Sequence, residues 1–176
     1  MQFNTKALKA AMKDNDGMLY WVFDEKLGKV LIGTRHFVVV MDREQVAYNP
    51  DLKKALASLD LFQEGTVIRD KEIITDSSRF PNLTGVAQPV IDYATYGTPA
   101  QKTPLMYEIS PKITGRILKS DSEYIIINEV FAQLIGDSPV RIGGKMSPVV
   151  TELGLFLPYR LPNGLDDVLA PLKGVK

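Results

Sequence analysis

Residues 124–136 read Tyr124-Ile125-Ile126-Ile127-Asn128-Glu129-Val130-Phe131-Ala132-Gln133-Leu134-Ile135-Gly136, and their reading decides the fold. An aromatic residue followed by three β-branched ones predicts a strand. Asn128 then stands where a helix cap belongs. Its side-chain oxygen can accept a backbone N–H that the first helical turn leaves without a partner. Val130, Phe131 and Leu134 fall on one face of the helix that follows, and Gly136 supplies its stop. Three short strands are expected next, at Val140–Ile142, Pro148–Thr151 and Leu155–Leu161. The unit is strand, helix, strands.

The opening of the chain has the same organisation. Phe3 can open a short strand, and Asn4 or Thr5 can cap a helix over roughly 5–13 in which Leu8, Ala11 and Met12 form one stripe. Asp14-Asn15-Asp16-Gly17 breaks that helix with turn chemistry. Met18 to Phe23 and Lys29 to Met41, rich in aromatic and β-branched residues, predict two or three antiparallel strands. The sequence thus predicts an α+β domain spanning residues 1–176, made of two strand–helix–strands elements.

Between the elements the pattern weakens. Asn49-Pro50-Asp51 can start a helix in which Leu52, Leu56 and Leu59 share a stripe, and short strands are expected at Thr66–Arg69 and Glu72–Thr75. From residue 76 to 104, Pro81, Pro89, Pro99 and Pro104 with Gly85 and Gly97 predict an irregular insertion. After Pro162-Asn163-Gly164, residues Leu165–Leu172 are expected to form a last short helix.

Composition narrows the function. The 176 residues carry 21 basic and 21 acidic side chains and are 45% apolar, which suits a water-soluble globular protein. No apolar run reaches the ~18 residues of a membrane span, and no basic-then-apolar leader opens the chain, so a cytoplasmic protein is expected. Without cysteine, disulfides, thiol catalysis and thiolate metal sites are excluded, and one histidine excludes a multi-histidine zinc site within one chain. His36, in Thr34-Arg35-His36-Phe37-Val38, has no visible nucleophile or orienting acid in sequence. Neither an enzyme nor a bound cofactor or metal is expected.

The doubled element resembles a domain of the bacterial DNA sliding clamps, the ring-shaped processivity factors of replicative polymerases. The resemblance is clearest over residues 122–161. It rests on Ile127-Asn128 and the helix after it, Val140-Arg141-Ile142, the Ser147-Pro148 pair opening a strand, and the closing Leu157-Pro158-Tyr159-Arg160-Leu161. Phe3-Asn4 with Lys6-Ala7-Leu8-Lys9-Ala10 looks like the first strand and helix of such a domain. The resemblance implies two helices on one face of curved antiparallel sheet. It also implies a homo-oligomer, a ring of about six copies around double-stranded DNA, and replication or repair proteins as partners.

Two groups of candidate site residues follow. Lys6, Lys9 and Lys13 recur at spacings of three and four, opposite Leu8 and Met12. They can face DNA phosphates through salt-dependent contacts blind to sequence, or form an ordinary solvated helix face. Leu157, Pro158, Tyr159 and Arg160 would, by resemblance, flank a groove for short partner peptides; the plainer reading is a final strand packed on the core. Ser58-Leu59-Asp60-Leu61-Phe62 matches the clamp-binding peptide Gln-Leu-Asp-Leu-Phe at four positions of five, but Leu59 continues the stripe of Leu52 and Leu56 and points to inward packing. The alternative function is a non-enzymatic interaction or structural module, of phage or mobile-element type, that keeps the clamp fold without encircling DNA.

Overall fold

The computed structural model describes residues 4–13, 17–121, 123–144 and 147–160. Phe3, the turn residues Asp14 to Asp16, Leu161, Pro162-Asn163-Gly164 and the expected helix at Leu165–Leu172 lie outside the described residues.

The first unit folds as its sequence dictates. Helix α1 (Thr5–Lys13) is capped by Asn4, whose Oδ1 accepts the Ala7 N–H at 2.9 Å, and it buries Ala7, Leu8, Ala11 and Met12. Strands β1 (Met18–Asp24), β2 (Lys29–Gly33) and β3 (Phe37–Met41) form an antiparallel meander. A short helix α2 (Arg43–Ala47), which the sequence reading missed, leads to α3 (Pro50–Ala57). Asn49 caps α3 through the Leu52 N–H, with Pro50 at its first position. Strands β4 (Thr66–Arg69) and β5 (Glu72–Ile74) close on a two-residue turn in which Asp70 and Lys71 both have positive φ, as a type I′ hairpin requires.

The stretch expected to be an irregular insertion at 76–104 is ordered. It holds helix α4 (Thr84–Ile91), 3-10 turns at Ser77–Arg79 and Tyr93–Thr95, and the start of a long strand β6 (Thr98–Ser110). Pro89 stands inside α4, and two further prolines misled because they sit where a missing N–H is tolerated. Pro99 pairs with Arg141 before the ladder to the next strand begins at Gln101↔Lys119, and Pro104 falls in a register shift of that ladder. Strand β7 (Ile113–Lys119) completes the hairpin.

Among the described residues, the second unit has the same order of a helix followed by three strands as the first. Strand β8 (Tyr124–Asn128) runs into α5 (Glu129–Ile135), and Asn128 Oδ1 accepts the Val130 N–H at 2.9 Å. Strands β9 (Val140–Ile142), β10 (Val149–Val150) and β11 (Gly154–Phe156) follow. The last strand is shorter than expected. It ends at Phe156, because the chain leaves β3 there and crosses to β8: Leu157 donates to the His36 carbonyl and Tyr159 to the Ile126 carbonyl, with the N–H-free Pro158 between them.

Among the described residues, eleven strands form one antiparallel sheet in the order β5-β4-β1-β2-β3-β11-β10-β9-β6-β7-β8. The two meanders meet at its centre, where β3 pairs with β11 through Phe37↔Phe156 and Val38↔Leu155. A Cβ at Gly154 would run into the Val38 carbonyl, so this seam needs glycine there. Strand alternation divides the core between two faces. One carries Trp21, Ile32, Phe37, Val39, Phe156, Ile125 and Ile127, covered by α1, α3 and α5. The other carries Tyr20, Leu31, Val38, Val40, Val150 and Leu155, covered by Leu83, Ala87 and Val90 of and beside α4.

Candidate functional site

On the helix face, α1 lies between α3 and α5. The Asn4 side-chain amide reaches the Gln133 carbonyl of α5 at 3.5 Å. The four buried residues of α1 fix its rotation, so Lys6, Lys9 and Lys13 point away from the sheet; Lys6 and Lys13 are exposed and Lys9 is half-buried. Lys53 and Lys54 are exposed on neighbouring α3. Helix α5 presents no outward base, but it is not acidic in effect. The Arg116 guanidinium donates to both Glu129 carboxylate oxygens, at 2.7 and 2.8 Å, and to the Thr103 carbonyl at 3.2 Å. That bidentate hydrogen bond, helped by Gln133 and the charge of Lys102, holds Glu129 below the usual carboxylate range. Lys102 lies on this same sheet face, since its cross-strand partner Leu118 packs under the helices. The lysine stripe therefore has a neutralised rather than a repelling neighbour. Sequence spacing could not show this, because Arg116 and Lys102 come from strands the sequence reading did not resolve.

The opposite face holds a cavity of about 330 Å³. Thr34, Arg35 and His36 of the β2–β3 turn form one wall, Gly85, Val86 and Pro89 of α4 a second, and Pro148, Leu155 and Leu157 the third. Most of the lining is apolar, and the size lies at the lower end for ligand pockets, ~300–1,000 Å³. Val86 is 45% exposed and Leu157 38%, so apolar surface stands in water at its mouth. Arg35 is the exposed charge at its rim.

The four groove residues expected from sequence are split. Leu157 lines the cavity, and Pro158 follows it on the crossing to β8. Tyr159 turns to β8, where its hydroxyl accepts the Asn128 side-chain N–H at 3.0 Å and its ring packs near Ile117 and Ile126. Arg160 is exposed and is not part of the lining. The α4 wall was missed, since Gly85 and Pro89 read as irregular chain. The segment Ser58–Phe62 is not offered as a ligand: Leu61 is fully buried and Phe62 is 70% exposed. Tyr96 packs and donates to the Pro148 carbonyl at 3.0 Å, beside the cavity.

Among the described residues no cluster of three or more His, Asp or Glu side chains is placed to hold a metal ion, and no helix is long and apolar enough to cross a membrane. Comparison of the chain with known protein families, with curated proteins and with solved structures finds no match.

Proposed function

We propose that this chain is a sliding-clamp-like accessory protein of DNA replication or repair. It works without catalysis, by self-association, phosphate contact on its helix face and capture of partner peptides on the opposite face. The observation that carries this reading is the doubled unit: two Asn-capped helices side by side on one face of a continuous antiparallel sheet, the first with three outward lysines. A lysine row of this kind attracts the DNA backbone without reading its sequence, so the contact can slide. The cavity beside Leu157 offers apolar walls to a peptide whose side chains would otherwise stay in water. About six copies would close a ring around a duplex.

A second reading, an interaction module that does not encircle DNA, is favoured by one specific feature: α5 turns the paired Glu129 and Gln133, not lysines, toward solvent. Light scattering separates the two. The ring requires a mass several times that of the chain, and a monomer at high micromolar concentration removes it.

The groove has a clean test at Gly85, where an added Cβ meets nothing within 4 Å. Gly85→Phe sets a ring at the α4 wall of the cavity, where the added Cβ meets no core atom. Binding of a Gln-Leu-Asp-Leu-Phe peptide should fall at least ~10-fold, the loss of roughly 1.4 kcal/mol or more. Unchanged binding with the fold intact rejects the groove.

A further inference from the structure

Strands β6, β7 and β8 form one end of the sheet. Paired residues share a face, so Tyr107↔Gly115, Ile117↔Ile126 and Lys119↔Tyr124 bring two tyrosines and a lysine to one side of it. The alternate pairs Met106↔Arg116 and Leu118↔Ile125 point the other way, toward α5. Ile117 and Ile126 are buried on the first side, whereas Tyr107 and Tyr124 are only half-buried. Half-buried Tyr159 lies along β8, its N–H on the Ile126 carbonyl. A Cβ at Gly115 would run into Ile126 and Ile109, so glycine lets these two side chains close the floor between the rings. Helix α4, which covers this face at the centre of the sheet, packs on β3 and β11 instead. The result is a flat apolar floor that presents aromatic rings to solvent. Its rim is basic. Lys119 is exposed, with its ammonium 5.7 Å from the centre of the Tyr124 ring. Lys112 is exposed at the tip of the β6–β7 hairpin, and Arg160 is exposed directly after Tyr159. Among the described residues none of these three cations pairs with a carboxylate. Glu108 alternates with Tyr107 and so points to the helix face, and Asp121 and Glu123 belong to the turn beyond the ladder.

We propose that this face is a platform for single-stranded DNA, with bases stacked on Tyr107 and Tyr124 and phosphates held by Lys112, Lys119 and Arg160. Every base has a π-face, so rings of this kind bind a strand with little regard to sequence, while duplex DNA keeps its bases stacked on one another. A base that arrives on Tyr124 displaces the Lys119 ammonium from the ring onto its own phosphate. The Tyr107 row ends at Asn128, four residues along β8 from Tyr124, which separates the rings by about 13 Å along the strand. That leaves room for about three bases, the usual load of a sheet platform. The site lies on the opposite face from Lys6, Lys9 and Lys13, so one chain can hold a duplex and a single strand at once. The choice of DNA over RNA rests on the replication reading; the stacking does not.

The experiment uses the full chain and a labelled oligothymidylate of about ten nucleotides, read by fluorescence anisotropy at low salt. The pair Tyr107→Leu, Tyr124→Leu keeps apolar bulk but removes the rings, and should weaken binding at least ~10-fold. The pair Tyr107→Phe, Tyr124→Phe should bind as the wild type does, since the ring and not the hydroxyl carries the stack. Lys119→Glu, at an exposed position, should also weaken binding and decides the matter if the leucine pair does not fold, which circular dichroism and thermal melting check. Lys6→Glu, Lys9→Glu, Lys13→Glu should leave oligothymidylate binding within about twofold while abolishing duplex binding. No oligothymidylate binding by the wild type, or equal binding by a folded leucine pair, overturns the platform and leaves the duplex reading intact. Loss of oligothymidylate binding in the α1 variant places the strand on the helix face and overturns the assignment. Tighter binding of an oligouridylate of the same length overturns the choice of DNA.

Discussion

The two units, α1 with β1–β3 and β8 with α5 and β9–β11, share an inner surface and differ in their outer one. Both helices begin at an asparagine whose side chain caps the first turn, and both bury four residues against the same sheet face. Outward, α1 carries Lys6, Lys9 and Lys13, while α5 carries Gln133 and a Glu129 already satisfied by Arg116. Burial constrains the inner positions strongly, since lost packing costs several kcal/mol, whereas exposed positions move stability by ~0.5 kcal/mol or less. Outer residues are therefore free to vary in charge, and only one of the two helices carries a row of lysines.

The largest expected effect lies where the units meet. Phe37 of the first unit packs on Phe131 and Phe156 of the second, with ring centroids 5.4 to 6.2 Å apart. Phe156→Ala should cost about 3–5 kcal/mol in denaturant unfolding and weaken both units in a single transition. Two separate transitions, with one unit unaffected, would break the idea of a shared core.

A smaller effect should separate inner from outer charges. Arg116→Met strands Glu129 and removes a charge-assisted bidentate bond between side chains that are only 21% and 20% exposed. A loss of roughly 1.5–3 kcal/mol is expected at neutral pH, against ~0.5 kcal/mol or less for Lys9→Met. Because Glu129 is held below its ordinary range, its stabilising contribution is present above that range and is lost as pH falls through its lowered pKa. The gap between Arg116→Met and wild type should accordingly shrink toward acid. A gap that widens there contradicts the pairing.

The caps offer the finest comparison. Asn4→Ala and Asn128→Ala should each cost about 1 kcal/mol. The second should cost more, since Asn128 also donates to the Tyr159 hydroxyl. Equal losses would mean that the Tyr159 bond contributes nothing measurable to stability.

The units were legible because caps, stripes and β-branched runs are local signals: Asn4, Asn128 and the run Tyr124–Ile127 behave as their sequence predicts. What stayed hidden is non-local. Pro99 and Pro104 masked β6 because a proline is judged against its own neighbours, while its tolerance depends on which side of the strand is paired. The lysine stripe could be read from spacing alone. Neither Arg116 against Glu129 nor the three-walled cavity could be, since each joins residues far apart in the chain. Leu157 is singled out by a resemblance, whereas Val86 and Thr34, which line the same cavity, emerge only from the fold.

The most direct test of the proposed phosphate contact is the salt dependence of binding to a random-sequence DNA duplex, measured for wild type and for Lys6→Glu, Lys9→Glu, Lys13→Glu. Three phosphate contacts on the wild type predict that its slope of log affinity against log salt is steeper by about 2–3 units than the variant's. Equal slopes and equal affinities, with both proteins folded, would contradict the account.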